Sequence, residues 1–362
     1  MKVAIVHDWL TNMGGAEQVV INFKEIYKDA PIYTTFYTES ELDDKLKNLD
    51  VRTSFLQKDK PVYNHKKYFP FMPIAFTRFD LSDYDIILSS SSSCAKGVKK
   101  GKNAIHVCYI HTPMRYAYEF KHEYIGDMNP IKKALVNILL FFMRIWDKHN
   151  NKRIDYFIAN STEVQKRVKN TYNRDSIVIN PPVRCNMFNI SDTDGDYYLV
   201  LSRLVGYKRF DIAVQACSQL GKKLVVIGDG PEKEKLEKLA NENVTFLGRQ
   251  PDEVVKKYMA ECKALLFPGL EDFGIVPVEA QACGRPVIAY GKGGALDSVI
   301  DGKTGVFFNE QTVDSLKDAI NKFETMKFDK QEIRKHALEF DESEFQRKIK
   351  EFIDEKAKEA NL

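Results

Sequence analysis

The chain has 362 residues, 44 % hydrophobic and 29 % charged, with a formal net charge of +3. Such composition excludes a disordered chain, a collagenous one and a small disulfide scaffold, and the length points to about two domains. The net charge is too small to indicate a nucleic-acid binder, but it is uneven: residues 1–180 hold 27 Lys/Arg against 20 Asp/Glu, and the remainder 27 against 31.

The opening run Val3–Val6 is too short for a signal peptide and reads as a buried strand. A loop from Asp8 to Gly15 follows, then a helix with Ala16, Val19, Val20, Phe23 and Tyr27 on one stripe. Ile86–Leu88, Ala104–Ile110 and Ile154–Ala159 read as further strands of the first half, and Ser89–Ser93 as the start of a loop or a set of capping serines. The apolar stretch Ala134–Trp146 is too short to span a bilayer. Tandem prolines at 181–182 and the polar run 191–196 place a domain boundary near 183–196. The second half opens alike, with a strand at Tyr197–Leu201, a basic loop Ser202–Arg209 and a helix from Asp211. Strands follow at Leu224–Ile227, Val244–Leu247 and Ala264–Phe267. Short apolar strands alternating with helices indicate parallel sheets covered on both faces, an α/β fold. The six cysteines are scattered without paired spacing, and no residue pattern implies a metal.

Four segments carry chemistry. In Glu271-Asp272-Phe273-Gly274-Ile275-Val276-Pro277-Val278-Glu279, Pro277 suits the first helical position and Gly284 the residue after the helix. That puts Glu279 in the first helical turn and Glu271 in the loop before it, two carboxylates suited to hydroxyl recognition. Arg203 and Lys208 leave the end of a strand, where doubly wound sheets bind ligands, and suit phosphate. Gly14-Gly15 lets backbone approach a ligand but is neither a dinucleotide fingerprint nor a P-loop. His111 follows the strand Ala104–Ile110. Each segment taken alone also fits a structural role: capping carboxylates, a basic surface loop, a tight turn, a core histidine.

Together these segments resemble the GT4 family of retaining glycosyltransferases, most of all bacterial mannosyltransferases of the WbaZ type. The likeness is carried by the E-x7-E segment, SRLVGYKRFDIAVQA at 202–216, HTPMRY at 111–116, GGAE at 14–17 and IANS at 158–161. The resemblance implies a GT-B fold, with two Rossmann-like domains facing across a cleft. It implies an acceptor domain over 1–183, joined by a returning C-terminal helix near 343–362, and a nucleotide-sugar domain over 196–342. Arg203 and Lys208 would clamp a diphosphate. Glu271 would contact the sugar, Glu279 the ribose and His111 the reacting sugar. Gly14, Gly15, Gly228, Gly248, Arg249, Phe273, Gly274 and Ile275 would complete the donor site. Where the family commonly has Asp after Pro-Pro-Val, this chain has Arg184, and no role carries over.

The implied reaction moves a hexose, mannose from GDP-mannose first among them, to a glycan acceptor of the polyprenyl-diphosphate kind, without cofactor or metal. A UDP-sugar donor, a sugar-nucleotide epimerase and a non-catalytic binding module stand as alternatives. No nucleic-acid partner is expected. The location expected is cytoplasmic, with the basic first half on the inner face of a membrane. There, Lys132 and Lys133 precede the Ala134–Trp146 helix, which either lies on an anionic surface or packs as an ordinary core helix.

Overall fold

The computed structural model describes residues 1–58, 61–62, 64–118 and 129–362. The chain divides into two compact units, Met1–Pro182 with Phe345–Leu362, and Val183–Glu344.

The first unit is built on a seven-stranded parallel sheet. Its order is Val51–Thr53, Ile32–Thr34, Val3–His7, Ile86–Ser91, Ile105–Ile110, Tyr156–Ala159 and Ile177–Val178. The central strands are buried along their whole length, so their apolar runs do not alternate with polar residues. The serine run belongs to this sheet: Ser89, Ser90 and Ser91 are the buried end of a strand rather than a loop. Helix Gly15–Ile26 packs Val19, Val20 and Phe23 against one face. Helix Glu342–Glu359 returns to the same core with Phe345, Ile349, Ile353 and Ala357, each four residues from the last and so on one stripe. Phe345 stacks on Phe23 with ring centroids 6.0 Å apart.

Helix Pro130–Asn150 departs from the core-helix reading. It buries only Leu140, Met143, Asp147 and Asn150. Asp147 is fixed by the fully buried Lys96, whose ammonium lies 2.9 Å away, and accepts from the hydroxyls of Tyr118 and Tyr172. That anchor turns the more apolar side outward: Ile131 is 77 % exposed, and Leu135, Ile138, Phe141, Phe142 and Ile145 are more than half exposed. Of the lysines in the basic first half, Lys96 is internal and neutralised; Asp59 and Lys60 lie outside the described residues. No helix among the described residues is long and apolar enough to cross a membrane.

The second unit carries a six-stranded parallel sheet. Its order is Val244–Gly248, Leu224–Ile227, Tyr198–Leu201, Ala264–Phe267, Val287–Tyr290 and Gly305–Phe308. In chain order this is third, second, first, fourth, fifth, sixth, the doubly wound Rossmann order. The stretch 183–196 is not a free linker but part of this unit. Val183, Cys185 and Phe188 enter its core, and Asp194 is held by Arg285 and Lys330. The division at Pro182/Val183 falls at the near edge of the expected boundary, and these partners, far along the chain, are not visible in a polar, turn-rich composition.

Ile349 is fully buried in the first unit. Truncation there leaves a cavity, and Ile349→Ala is expected to lower stability by roughly 2–5 kcal/mol, read from the midpoint of denaturant unfolding.

Candidate functional site

In the second unit the strand order reverses between Tyr198–Leu201 and Ala264–Phe267. Loops leaving these two neighbours diverge to opposite faces of the sheet and open a crevice at its carboxyl edge. Lys208 sits in a short 3-10 turn after the first of them, and Glu271 in the loop after the second. Their side chains form a close ion pair, so the structure joins two segments 63 residues apart. Lys208 is 9 % exposed, and the backbones of its loop and of Gly269 touch so closely that a Cβ on Gly269 would stand 3.0 Å from the Lys208 Cα. Arg203 is exposed at the same edge, with no ion pair to a described residue. Arg209 serves a different end, pairing with Asp211 in the helix it precedes.

Glycine places the arginine loop. Gly228 has φ 139°, and a Cβ there would lie 1.8 Å from the Ser202 carbonyl oxygen, so only glycine lets the 228–230 turn brace residues 202–204. Gly248 ends the neighbouring strand, and Arg249 just after it is exposed.

The helix after Glu271 runs Ile275–Ala282. Pro277 is therefore its third residue, not its first, and Glu279 its fifth, beyond the first turn. The structure corrects the expectation, and the reason is simple: all the first-turn amides lack intrahelical acceptors, so proline is tolerated at any of them. Gly274 precedes the helix at φ 87°, where a Cβ would meet the Phe267 ring at 2.7 Å. The opening amides at Ile275 and Val276 are thus left to a ligand or solvent. Glu279 is half-buried, and burial pushes its carboxyl up to about 7, with Arg184 opposing and Asp252 adding to the rise. Arg184, given no role from the sequence, is the cation that tempers this carboxylate. Gly293-Gly294 also escaped the sequence reading: Cβ atoms there would stand 2.6 Å from the Glu271 carbonyl oxygen and 2.1 Å from the Phe273 Cα. A second tandem glycine after a strand was the available signal.

The first unit repeats the reversal between Val3–His7 and Ile86–Ser91. Gly14 precedes helix Gly15–Ile26, and a Cβ on it would lie 3.1 Å from a Glu17 carboxylate oxygen. Asp8, just past the first strand, accepts from the amides of Ser92, Ser93 and Ala95 at 2.7–2.9 Å and ties the two loops together. His111 follows Ile105–Ile110 and is bonded to Ser90, 2.8 Å from Nε2 to Oγ. Burial, with His7 nearby, pushes His111 down to about 3, so its ring is neutral at ordinary pH. Among the described residues, no three His, Cys, Asp or Glu side chains cluster as a metal site requires.

The family described as glycosyl transferases group 1 matches residues 187–340. An uncharacterized glycosyltransferase of Methanocaldococcus jannaschii is 30 % identical over 185 residues, 49 % of this chain and 52 % of the relative. The GDP-mannose-dependent alpha-(1-6)-phosphatidylinositol monomannoside mannosyltransferase of Mycolicibacterium smegmatis is 33 % identical over 145 residues, 35 % of this chain and 38 % of the relative. The chain thus spans about half the length, or less, of these curated relatives. Among solved structures, Anabaena HepE in complex with UDP and glucose superposes with TM-score 0.68 at 20 % identity, covering 98 % of this chain and 99 % of that one. This likeness shows the fold, two Rossmann-like units of the GT-B class.

Glu279 gives a pH test. Because folding raises its carboxyl from 4.5 to about 7, the folded state favours the protonated form. That contribution is present below the unfolded value and lost as pH rises through the folded one. Glu279→Gln is therefore expected to gain melting temperature relative to the parent protein as pH rises from 4.5 through 7, measured by calorimetry.

Proposed function

We propose, from the premise that residues 187–340 belong to the glycosyl transferases group 1 family, that the chain is a retaining GT4-type hexosyltransferase acting on a nucleotide sugar and a glycan acceptor. The observation that carries the reading is the meeting of Lys208 and Glu271 at the strand-order reversal of the second unit. A cation and a carboxylate fixed side by side suit a ligand that has phosphate at one end and sugar hydroxyls at the other.

In this reading Lys208 and the exposed Arg203 hold the donor diphosphate and stabilise the charge that grows on it as the glycosidic bond breaks. Two fixed cations serve where other transferases use a metal. Glu271 accepts from sugar hydroxyls and Glu279 from the ribose. The amides around Phe273, Gly274 and Ile275 face the same ligand, and Gly248 and Arg249 border the base. In the first unit, Gly14, Gly15 and His111 lie after strands at the corresponding carboxyl edge. The bond from anomeric carbon to phosphate oxygen breaks, and the acceptor hydroxyl adds on the same face. The leaving phosphate takes the acceptor proton, so no side-chain base is needed.

Mannose from GDP-mannose is the first donor reading, supported by the similarity to the mycobacterial mannosyltransferase. A UDP-hexose is the second, favoured by the UDP and glucose bound in the Anabaena structure. The acceptor reading is a lipid-linked glycan, with the first unit docked on an anionic membrane. Its support is the outward stripe of helix Pro130–Asn150, flanked by Lys132 and Lys133 at one end and Lys148 and Lys152 at the other. Apolar side chains ringed by lysines match an acidic lipid surface.

A thermal-shift panel of GDP-, UDP-, ADP- and dTDP-sugars is expected to single out one nucleotide. With that donor, Lys208→Ala is expected to lower turnover at least about tenfold, and the product to keep the donor's anomeric configuration by NMR. Turnover near the parent value, or an inverted product, overturns the mechanism. In vesicle flotation, binding to anionic lipid at low salt is expected, and replacing both Leu135 and Phe142 by serine is expected to abolish it. Failure of the parent chain to float removes the membrane reading.

A further inference from the structure

The reading of His111 leaves open which ring nitrogen carries its proton, and the buried residues behind it answer that. His7, at the end of the first strand, is 2 % exposed, and Ser90 in the adjacent strand is fully buried. His7 Nδ1 lies 3.1 Å from the Ser90 carbonyl oxygen and 3.1 Å from the Ser90 hydroxyl. A carbonyl oxygen only accepts, so His7 Nδ1 must carry hydrogen and donate. The Ser90 hydroxyl then receives from His7 and has its own hydrogen left to give. Its other neighbour is His111 Nε2 at 2.8 Å. On the far side of His7, Nε2 lies 3.6 Å from the buried Glu17 carboxylate, beyond hydrogen-bond distance, so the ring's orientation rests on the two contacts of Nδ1 with Ser90.

We infer that Ser90, oriented by His7, holds His111 with Nε2 as acceptor and its proton on Nδ1, so that the ring presents an N–H donor to a substrate oxygen. Ser90 and His7 are positioning residues, acting through His111. The substrate part of the inference rests on the transferase reading. The oxygen that such a donor fits is a sugar hydroxyl or a phosphate oxygen, each with a lone pair to offer. The polarity of the chain also runs one way. Because each link gives its hydrogen toward His111, reversing the His111 tautomer would set its Nε2 hydrogen against that of Ser90.

The test uses the full chain with isotope-labelled histidine and long-range proton–nitrogen NMR, which distinguishes protonated from bare ring nitrogens. His111 is identified by the signals lost in His111→Asn. The expected result is a single form with Nδ1 protonated. Ser90→Ala is expected to give a mixture of both forms, and Ser90→Thr to restore the single one. Should Ser90→Ala fail to fold, His7 supplies a second pair. His7→Asn keeps a donor near the Nδ1 position and is expected to preserve the tautomer, whereas His7→Gln moves the donor and is expected to lose it. With the identified donor sugar, Ser90→Ala is expected to lower kcat about tenfold while changing KM little, the pattern of a group misplaced in the transition state. A parent spectrum with Nε2 protonated, or an unchanged tautomer in Ser90→Ala and His7→Gln alike, overturns the inference. The NMR readout needs no substrate, so a chain inactive on every nucleotide sugar sinks the transferase reading and leaves the tautomer result standing.

Discussion

A parallel sheet cannot turn back on itself, and each strand must be followed by a crossover over one face before the next begins. All loops that follow strands therefore emerge at one edge, and where the winding changes direction two of them part and leave a crevice. Both units accept this constraint, and their polar chemistry collects where it dictates. In the second unit the parting loops carry Arg203, Lys208 and Glu271, with the helix start at Ile275 close behind in sequence. In the first they carry Asp8, Gly14, Ser92 and Ser93, with Ser90 at the end of its strand and His111 one strand further along.

This regularity is also why so much was legible beforehand. Strands buried on both faces read as unbroken apolar runs, and a motif directly after such a run is necessarily at the carboxyl edge. The α/β class and the strand-edge placement of Lys208, Glu271 and His111 followed from that. What escaped depends on partners distant in sequence. Serine disfavours a strand interior, yet Ser89 bonds to His106 and Ser90 to His7 and His111, so their hydroxyls are satisfied inside the sheet. Nothing local shows that Lys96 is buried, because the carboxylate that compensates it is Asp147 in another helix. The same pair decides which side of helix Pro130–Asn150 faces inward, a choice that its amphipathic pattern leaves open. Proline fixed a helix start to within a turn rather than to a residue.

Glycine does more positional work here than its motifs announce. Gly228, Gly274, Gly293 and Gly294 all stand where a Cβ would enter a neighbouring loop or ring. They allow separate carboxyl-edge loops to touch through backbone, so that the spacing of Arg203, Lys208 and Glu271 is set by main chain rather than by long side chains. Rigid support of this kind is what a site needs if its charges are to be in place before a ligand arrives.

The ion pair between Lys208 and Glu271 has a consequence for selectivity. The lysine is not a bare cation waiting for any anion, since its charge is already answered by the glutamate. An ion such as inorganic phosphate that takes the ammonium strands the carboxylate without a partner, and a neutral sugar that takes the carboxylate strands the ammonium; either exchange forfeits as much as it gains. Only a molecule that brings both an anion and hydroxyl donors satisfies the two ends together. On the proposed function, the pair would therefore discriminate against lone phosphates and free sugars and favour the two chemistries arriving on one ligand.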